Sequence, residues 1–259
     1  MDLDIAGRKA LVTGASKGLG RSCALALAHA QTDLTIVARS EAQLEQTARD
    51  IYRQTGARVT PVAADISTAA GRALALSACP APDILVNNAG GKPPGDFRNW
   101  SREDWIDGID LMMLAPIEMI RATFDAMAQR KFGRIVNIVS RSVKTAHAEL
   151  GLSNAARSGL VGFVAGIARQ HARHNVTINN LLPGIFATDA QIHHVEKLAE
   201  ETGQSFDAIW QQRASGNPSN RYGDPDELGR YCAFLCSAHA GFITGQNLLI
   251  DGGDYRGTY

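Results

Sequence analysis

Three glycines stand in the run Thr13-Gly14-Ala15-Ser16-Lys17-Gly18-Leu19-Gly20, spaced Gly-x-x-x-Gly-x-Gly. Before it, Lys9-Ala10-Leu11-Val12 has strand character; after it, Leu19, Cys23 and Leu27 form an apolar helical face. A glycine turn between a strand and a helix is the setting in which such a pattern holds a dinucleotide. Glycine permits the tight turn and lets backbone approach a pyrophosphate with no Cβ in between. The helix start adds unpaired N–H groups and the positive end of a dipole. A plain tight turn has the same spacing, so the turn by itself leaves both readings open.

Other groups that could do chemistry are few. Cys23, Cys79, Cys232 and Cys236 lack metal spacing and read as small buried hydrophobes. His193, His194 and Glu196 sit too close together for one helix face to present them all, so a solvated face is expected there and no metal. Lys and Arg number 26 and Asp and Glu 26. That balance suggests neither a nucleic-acid partner nor an anionic membrane. No apolar run is long enough to span a bilayer, and the start of the chain, with Asp2 and Asp4, does not read as a secretory signal. A cytoplasmic location is expected.

The elements that must position the turn follow in regular alternation. Strands are expected at Leu34–Ala38, Val59–Ala64, Asp83–Val86, Gly133–Ser140, Val176–Leu182 and Gln246–Asp251, besides the first. Helices separate them, one ending at Gly56 and one opening at Asp224-Pro225-Asp226-Glu227. Ser101-Arg102-Glu103-Asp104 resembles a capping box and starts a helix expected to reach Arg130 with a bend at Pro116. A long helix is expected from Gly151 to near His174. Near-continuous apolar strands between helices imply one α/β domain, a doubly wound seven-stranded parallel sheet covered on both faces. Its ligand should lie at the carboxyl ends of the strands. Only residues 185–222 break the rhythm, a long polar stretch that could form a lid.

The chain resembles the short-chain dehydrogenase/reductase family, and within it the 3-oxoacyl-acyl-carrier-protein reductase group. The matching pieces are the glycine turn, Asn87-Asn88-Ala89-Gly90, Gly133-Arg134-Ile135-Val136-Asn137-Ile138, Pro183-Gly184 with Thr188, Ile243-Thr244-Gly245-Gln246 and Asp251-Gly252-Gly253. The resemblance implies a nicotinamide cofactor, a small-molecule substrate and often a homotetramer. Two long helices with apolar residues beyond one face, Phe163, Val164 and Ile167 near Met119, Ile120 and Phe124, would fit such an assembly. It also places Asp65 and Ile66 near the adenine, Asn88, Ala89 and Gly90 along the ribose, and Pro183, Gly184, Ile185 and Thr188 by the nicotinamide. NADP(H) is expected over NAD(H) on chemical grounds. An acid at the end of the second strand would hold a ribose 2′-hydroxyl. Ala38 stands there instead, followed by Arg39 and Ser40, and Lys17 lies in the turn. Two cations and no acid suit a 2′-phosphate.

The resemblance breaks at the reaction centre. The family uses Asn, Ser, Tyr and Lys, with Tyr-x-x-x-Lys on the long helix. Here Ser153 stands at the Tyr position, Arg157 at the Lys position and Met112 at the Asn position; Ser140 alone is kept. An alkyl hydroxyl is a far weaker acid than a phenol, and a guanidinium does not exchange protons. Arg157 can still supply positive charge and bond the nicotinamide ribose. His147, in the loop between Ser140 and Ser153, is the candidate proton donor near neutral pH. Three readings stay open: a reductase of altered mechanism, a cofactor-binding protein without turnover, and a related non-redox reaction.

Overall fold

The computed structural model describes residues 1–258. Seven strands form one parallel sheet: β1 Lys9–Thr13, β2 Asp33–Ala38, β3 Val59–Ala63, β4 Ile84–Asn87, β5 Gly133–Ile138, β6 Val176–Pro183 and β7 Asn247–Ile250. Their spatial order is β3-β2-β1-β4-β5-β6-β7, and every neighbouring pair is parallel. The order reverses between β1 and β4, where a doubly wound sheet opens a crevice at its carboxyl ends. Pro61 is tolerated in β3 because that strand is an edge.

Strand side chains alternate between two cores, as a period of two requires. Ala10, Val12, Ile84 and Val86 pack with helix α1 (Gly18–His29), α2 (Glu41–Thr55) and α9 (Pro225–Cys236). Leu11, Leu85, Ile135 and Ile178 pack on the other face with α3 (Ala69–Ala78), α5 (Ala115–Gln129) and α6 (Gly151–Ile167). Helix ends follow their sequence signals. Gly56 closes α2 at φ 69°, and capping boxes open α4 (Arg102–Ile109) at Ser101 and α9 at Asp224.

Three expectations need correction. The helix from Ser101 is distorted just ahead of Pro116 and not at it. It breaks into α4 and α5 through a π turn, Asp110–Leu114, in which the Ala115 N–H bonds the Asp110 carbonyl. Proline has no N–H and its ring crowds the carbonyl four residues back, so the register widens by one residue just before it. The long helix stops at Ile167 instead of His174, with a separate 3-10 turn at Ala172–His174. There the Thr244 hydroxyl donates to the Ala168 carbonyl, and His171 Nε2 lies 2.8 Å from Asp125 Oδ1. Finally, Val164, Met119, Ile120 and Phe124 are not surplus apolar surface. They are buried in the protomer's own core, with Phe163 and Ile167 packed beside them.

Residues 185–222 carry two further helices, α7 (Asp189–Thr202) and α8 (Phe206–Ser215). The neck of this insert is pinned by backbone bonds, Gly223 N to Ile185 O and Ala187 N to Gly223 O. Trp210 of α8 stacks between Phe206 and Tyr222, with ring centroids 5.5 and 3.9 Å away.

Candidate active site

The crevice at the β1/β4 reversal is a groove of about 800 Å³. Gly14, Ser16, Lys17, Gly18 and Leu19 line one side; Arg39 and Ser40 come from the end of β2; Asp65, Ile66, Asn88, Ala89 and Gly90 follow β3 and β4; Thr188 comes from the insert. Nearly all of the sequence-based cofactor residues therefore meet in one place. Gly20, Arg157, Pro183, Gly184 and Ile185 do not line it. Gly20 closes the turn: a Cβ there would collide with the Gly14 carbonyl. Gly14 itself sits at φ +58°, where a Cβ would press on Asn88. Gly184 packs against Asp251, and Ile185 lines a separate 130 Å³ cavity at the insert's neck.

The side chains show how the groove is braced. Asn88 Nδ2 donates to the Gly14 carbonyl at 3.0 Å, so its amide holds the glycine turn. Thr13 Oγ1 donates to the Asn88 carbonyl and accepts from its N–H, both at 2.9 Å. The Asp65 carboxylate accepts from the Ser67 hydroxyl and N–H. Those bonds, with Arg39 nearby, hold its pKa below the usual carboxylate value. Lys17 and Arg39 are exposed, and neither forms an ion pair among the described residues. Gln43, Leu111 and Asp189 also line the groove, and the sequence reading missed them. Leu111 could have been found only by knowing of the π turn that carries it.

Next to the groove, in a separate pocket of about 10 Å³ that shares Asn88, Ala89 and Leu111 with it, Arg157 ties three segments together. Its Nε donates to Ser153 Oγ at 3.0 Å, one turn earlier on α6. Nη1 donates to the Ile138 and Val139 carbonyls at 3.0 and 2.6 Å, and Nη2 to the Ala89 carbonyl at 3.4 Å. Four of the five N–H donors of a guanidinium are thereby used on protein, and one remains on Nη2. No carboxylate offsets the charge, and burial pushes the pKa down to about 10. Met112, from the π turn, is buried over the same spot. Beside it Asn87 begins an amide ladder across the sheet, donating to Asn137, which donates to Asn180, which donates to Asn247.

Ser140 follows directly on Val139. Its Oγ accepts from the Ser142 N–H at 3.1 Å, starting a 3-10 turn. Neither the Ser140 nor the Ser153 hydroxyl donates to any group among the described residues, so both protons are free to point at a ligand. His147 is tethered near Ser153, because Asn154 Nδ2 donates to the His147 carbonyl at 2.8 Å. Its Nδ1 lies 4.0 Å from Glu149 Oε1, and its buried Nε2 has no partner. His193 and Glu196 pair at 2.9 Å on the exposed side of α7, while His194 is half-buried. Cys23, Cys79, Cys232 and Cys236 are buried free thiols.

The groove fits a dinucleotide: a glycine turn that a Cβ would fill, the N-terminus of α1, and two unpaired cations where a ribose 2′-phosphate would lie. Comparisons with known proteins agree with it. Residues 8–199 match the short chain dehydrogenase family. The NADPH-dependent reductase BacG of Bacillus subtilis is 35% identical over 254 residues, covering 96% of this chain and 98% of that protein. The acetoacetyl-CoA reductase of Shinella zoogloeoides is 32% identical over 252 residues, covering 96% and 98%. Among solved structures, L-sorbose reductase of Gluconobacter frateurii, complexed with NADPH and L-sorbose, superposes with a TM-score of 0.94 at 28% identity, covering 99% of this chain and all of that one.

Proposed function

The chain belongs to the short-chain dehydrogenase family, and from that premise we propose that it is an NADP(H)-dependent oxidoreductase acting on a carbonyl or alcohol through an atypical site. The observation that carries the reading is the Arg157 clamp. It fixes the strand end bearing Ser140 and the helix turn bearing Ser153, and it leaves both hydroxyl protons free. NADP(H) is favoured by the unpaired Lys17 and Arg39 and the missing acid at Ala38. The NADPH dependence of BacG and the NADPH-bound sorbose reductase support the same choice.

When bound, NADPH supplies the hydride that forms the new C–H bond. The chain's own residues do the rest. The hydroxyls of Ser140 and Ser153 donate to the substrate oxygen and stabilise the charge that develops on it as the carbonyl π bond breaks. The fixed charge of Arg157 lowers the energy of that oxyanion from behind. His147 gives the proton that completes the alcohol, directly or through water. The last free N–H of Arg157 bonds the nicotinamide ribose. The insert at residues 185–222 acts as the lid that excludes water. The protein works in the cytoplasm as a homotetramer. Large apolar side chains left exposed on the protomer, Phe97, Leu114 and Phe242, support assembly.

The test is NADPH oxidation against a panel of ketones, sugars and acyl thioesters. Ser153→Ala should cut kcat by about 10²-fold or more while NADPH affinity holds. His147→Ala should lower kcat while NADPH affinity holds. Tight NADPH binding with no turnover on any class would replace this reading by that of a cofactor-binding protein.

A further inference from the structure

Buried polar atoms in a folded protein are nearly always paired, so clusters of unpaired ones mark places where something else binds. Six of the eleven such side-chain atoms among the described residues lie on two segments, residues 140–154 and the insert at 185–222. They belong to Ser142, His147 and Asn154 on one side and to Gln191, Arg213 and Tyr222 on the other. The two segments face each other. Asn217, just past α8, donates to the Asp251 carbonyl, and Arg141 pairs with Asp254 in the same turn. The C-terminal end of α8 is thus seated beside the strand end that carries Ser140.

Among these charges Arg213 is the exception. Arg141 has Asp254, and Lys144 lies over the ring of Tyr255, 5.3 Å from its centroid. The carboxylate of Asp251 accepts from the Gly253 and Tyr255 N–H groups. Arg213 is half-buried, its Nε is buried without an acceptor, and it has no ion pair among the described residues. A buried guanidinium N–H with no acceptor is unfavourable, and a planar bidentate oxyanion is the partner that best relieves it. The carboxylates of Asp251 and Asp254 are engaged by backbone N–H groups and by Arg141, so neither serves Arg213.

We propose that Arg213 is a substrate-binding residue, and that the carbonyl compound taken by this site carries a carboxylate. This deepens the reductase reading by naming the substrate class. The carboxylate sits under α8, with its carbonyl carbon toward Ser140 and Ser153. Arg213 thereby couples substrate charge to closure of the insert, since α8 is the element that carries it.

The experiment uses a matched pair. 5-Keto-D-gluconate and L-sorbose share one carbon chain, one carbonyl position and one set of hydroxyl configurations. They differ only in a terminal carboxylate against a hydroxymethyl group. Each is titrated into the NADPH complex of the intact protein, read by tryptophan fluorescence because Trp210 lies one turn before Arg213. Turnover is followed in parallel. The acid should bind about tenfold or more tighter, the span of one charge-assisted hydrogen bond. Arg213→Ala should erase that preference through KM, leaving NADPH affinity and the weak binding of L-sorbose unchanged; Arg213→Lys should restore part of it. Equal binding of the two sugars, or equal loss of both in Arg213→Ala, overturns the proposal. Reduction of L-sorbose but not of the acid would also overturn it and leave the reductase reading standing. Selective binding of the acid with no NADPH oxidation by any carbonyl compound would do the reverse.

Discussion

At the residue scale, an arginine at position 157 can do what a lysine there could not. An ammonium has three donors around a point charge, whereas the guanidinium has five in a fixed plane. Arg157 uses that plane to reach Ser153, two consecutive carbonyls at the end of β5, and Ala89 beyond β4. Its role is as much structural as chemical. Arg157→Ala should therefore leave buried carbonyls without donors and destabilise the fold by about 2–4 kcal/mol, besides weakening NADPH binding. Arg157→Lys should fall between the two. Urea denaturation measures the loss, and a change below about 1 kcal/mol would mean that the bonds to Ile138 and Val139 are dispensable. Ser153 and Ser140 fit the same picture. A hydroxyl that accepts one bond keeps its own proton for another partner.

At the scale of elements, the groove is made by ends of strands and starts of helices. In the proposed reading the end of β2 sets cofactor choice, because it brings Ala38 and Arg39 to the groove while the turn after β1 brings Lys17. Ala38→Asp combined with Arg39→Leu places a carboxylate where the 2′-phosphate would lie and removes one cation. NADPH affinity should drop by about 10-fold to 100-fold, a charge-assisted bond's worth, and NADH should then bind better than NADPH. Fluorescence titration with both cofactors gives the ratio, and an unchanged ratio would separate Arg39 from cofactor selection. The π turn Asp110–Leu114 belongs at this scale too. It delivers Leu111 to the groove and Met112 to the floor under Arg157, two side chains that an unbroken helix would aim elsewhere.

At the scale of the whole molecule, the protomer buries its two cores completely yet leaves Phe242 fully exposed and Phe97 and Leu114 well exposed. In the proposed tetramer such side chains would find cover between copies. Light scattering should give a particle of four 27.7 kDa chains at micromolar concentration. A monomer would show that these apolar groups stay in water. Phe242→Asp should shift the mass downward without unfolding the protomer, since nothing in the protomer packs on that side chain.

Much of this was legible in the order of residues alone. Strand and helix alternation, the caps at Ser101 and Asp224, the stop at Gly56 and the glycine turn are local: each depends on neighbours a few residues away. They suffice for a seven-stranded doubly wound sheet and for where its groove opens. The expectation that Ser153 and Arg157 stand where the family has Tyr and Lys came equally from the letters alone. Which groups they bond did not, because hydrogen-bond partners are chosen in space. Only the folded chain brings Ile138, Val139 and Ala89 within reach of one guanidinium. Only it buries Val164 and Met119 in the protomer instead of at an interface. And only packing of the insert against the 251–254 turn decides that Arg213, one cation among 26, is half-buried with its Nε unpaired. Pattern fixes which face of an element is apolar; the distance between two elements is settled by everything that packs between them.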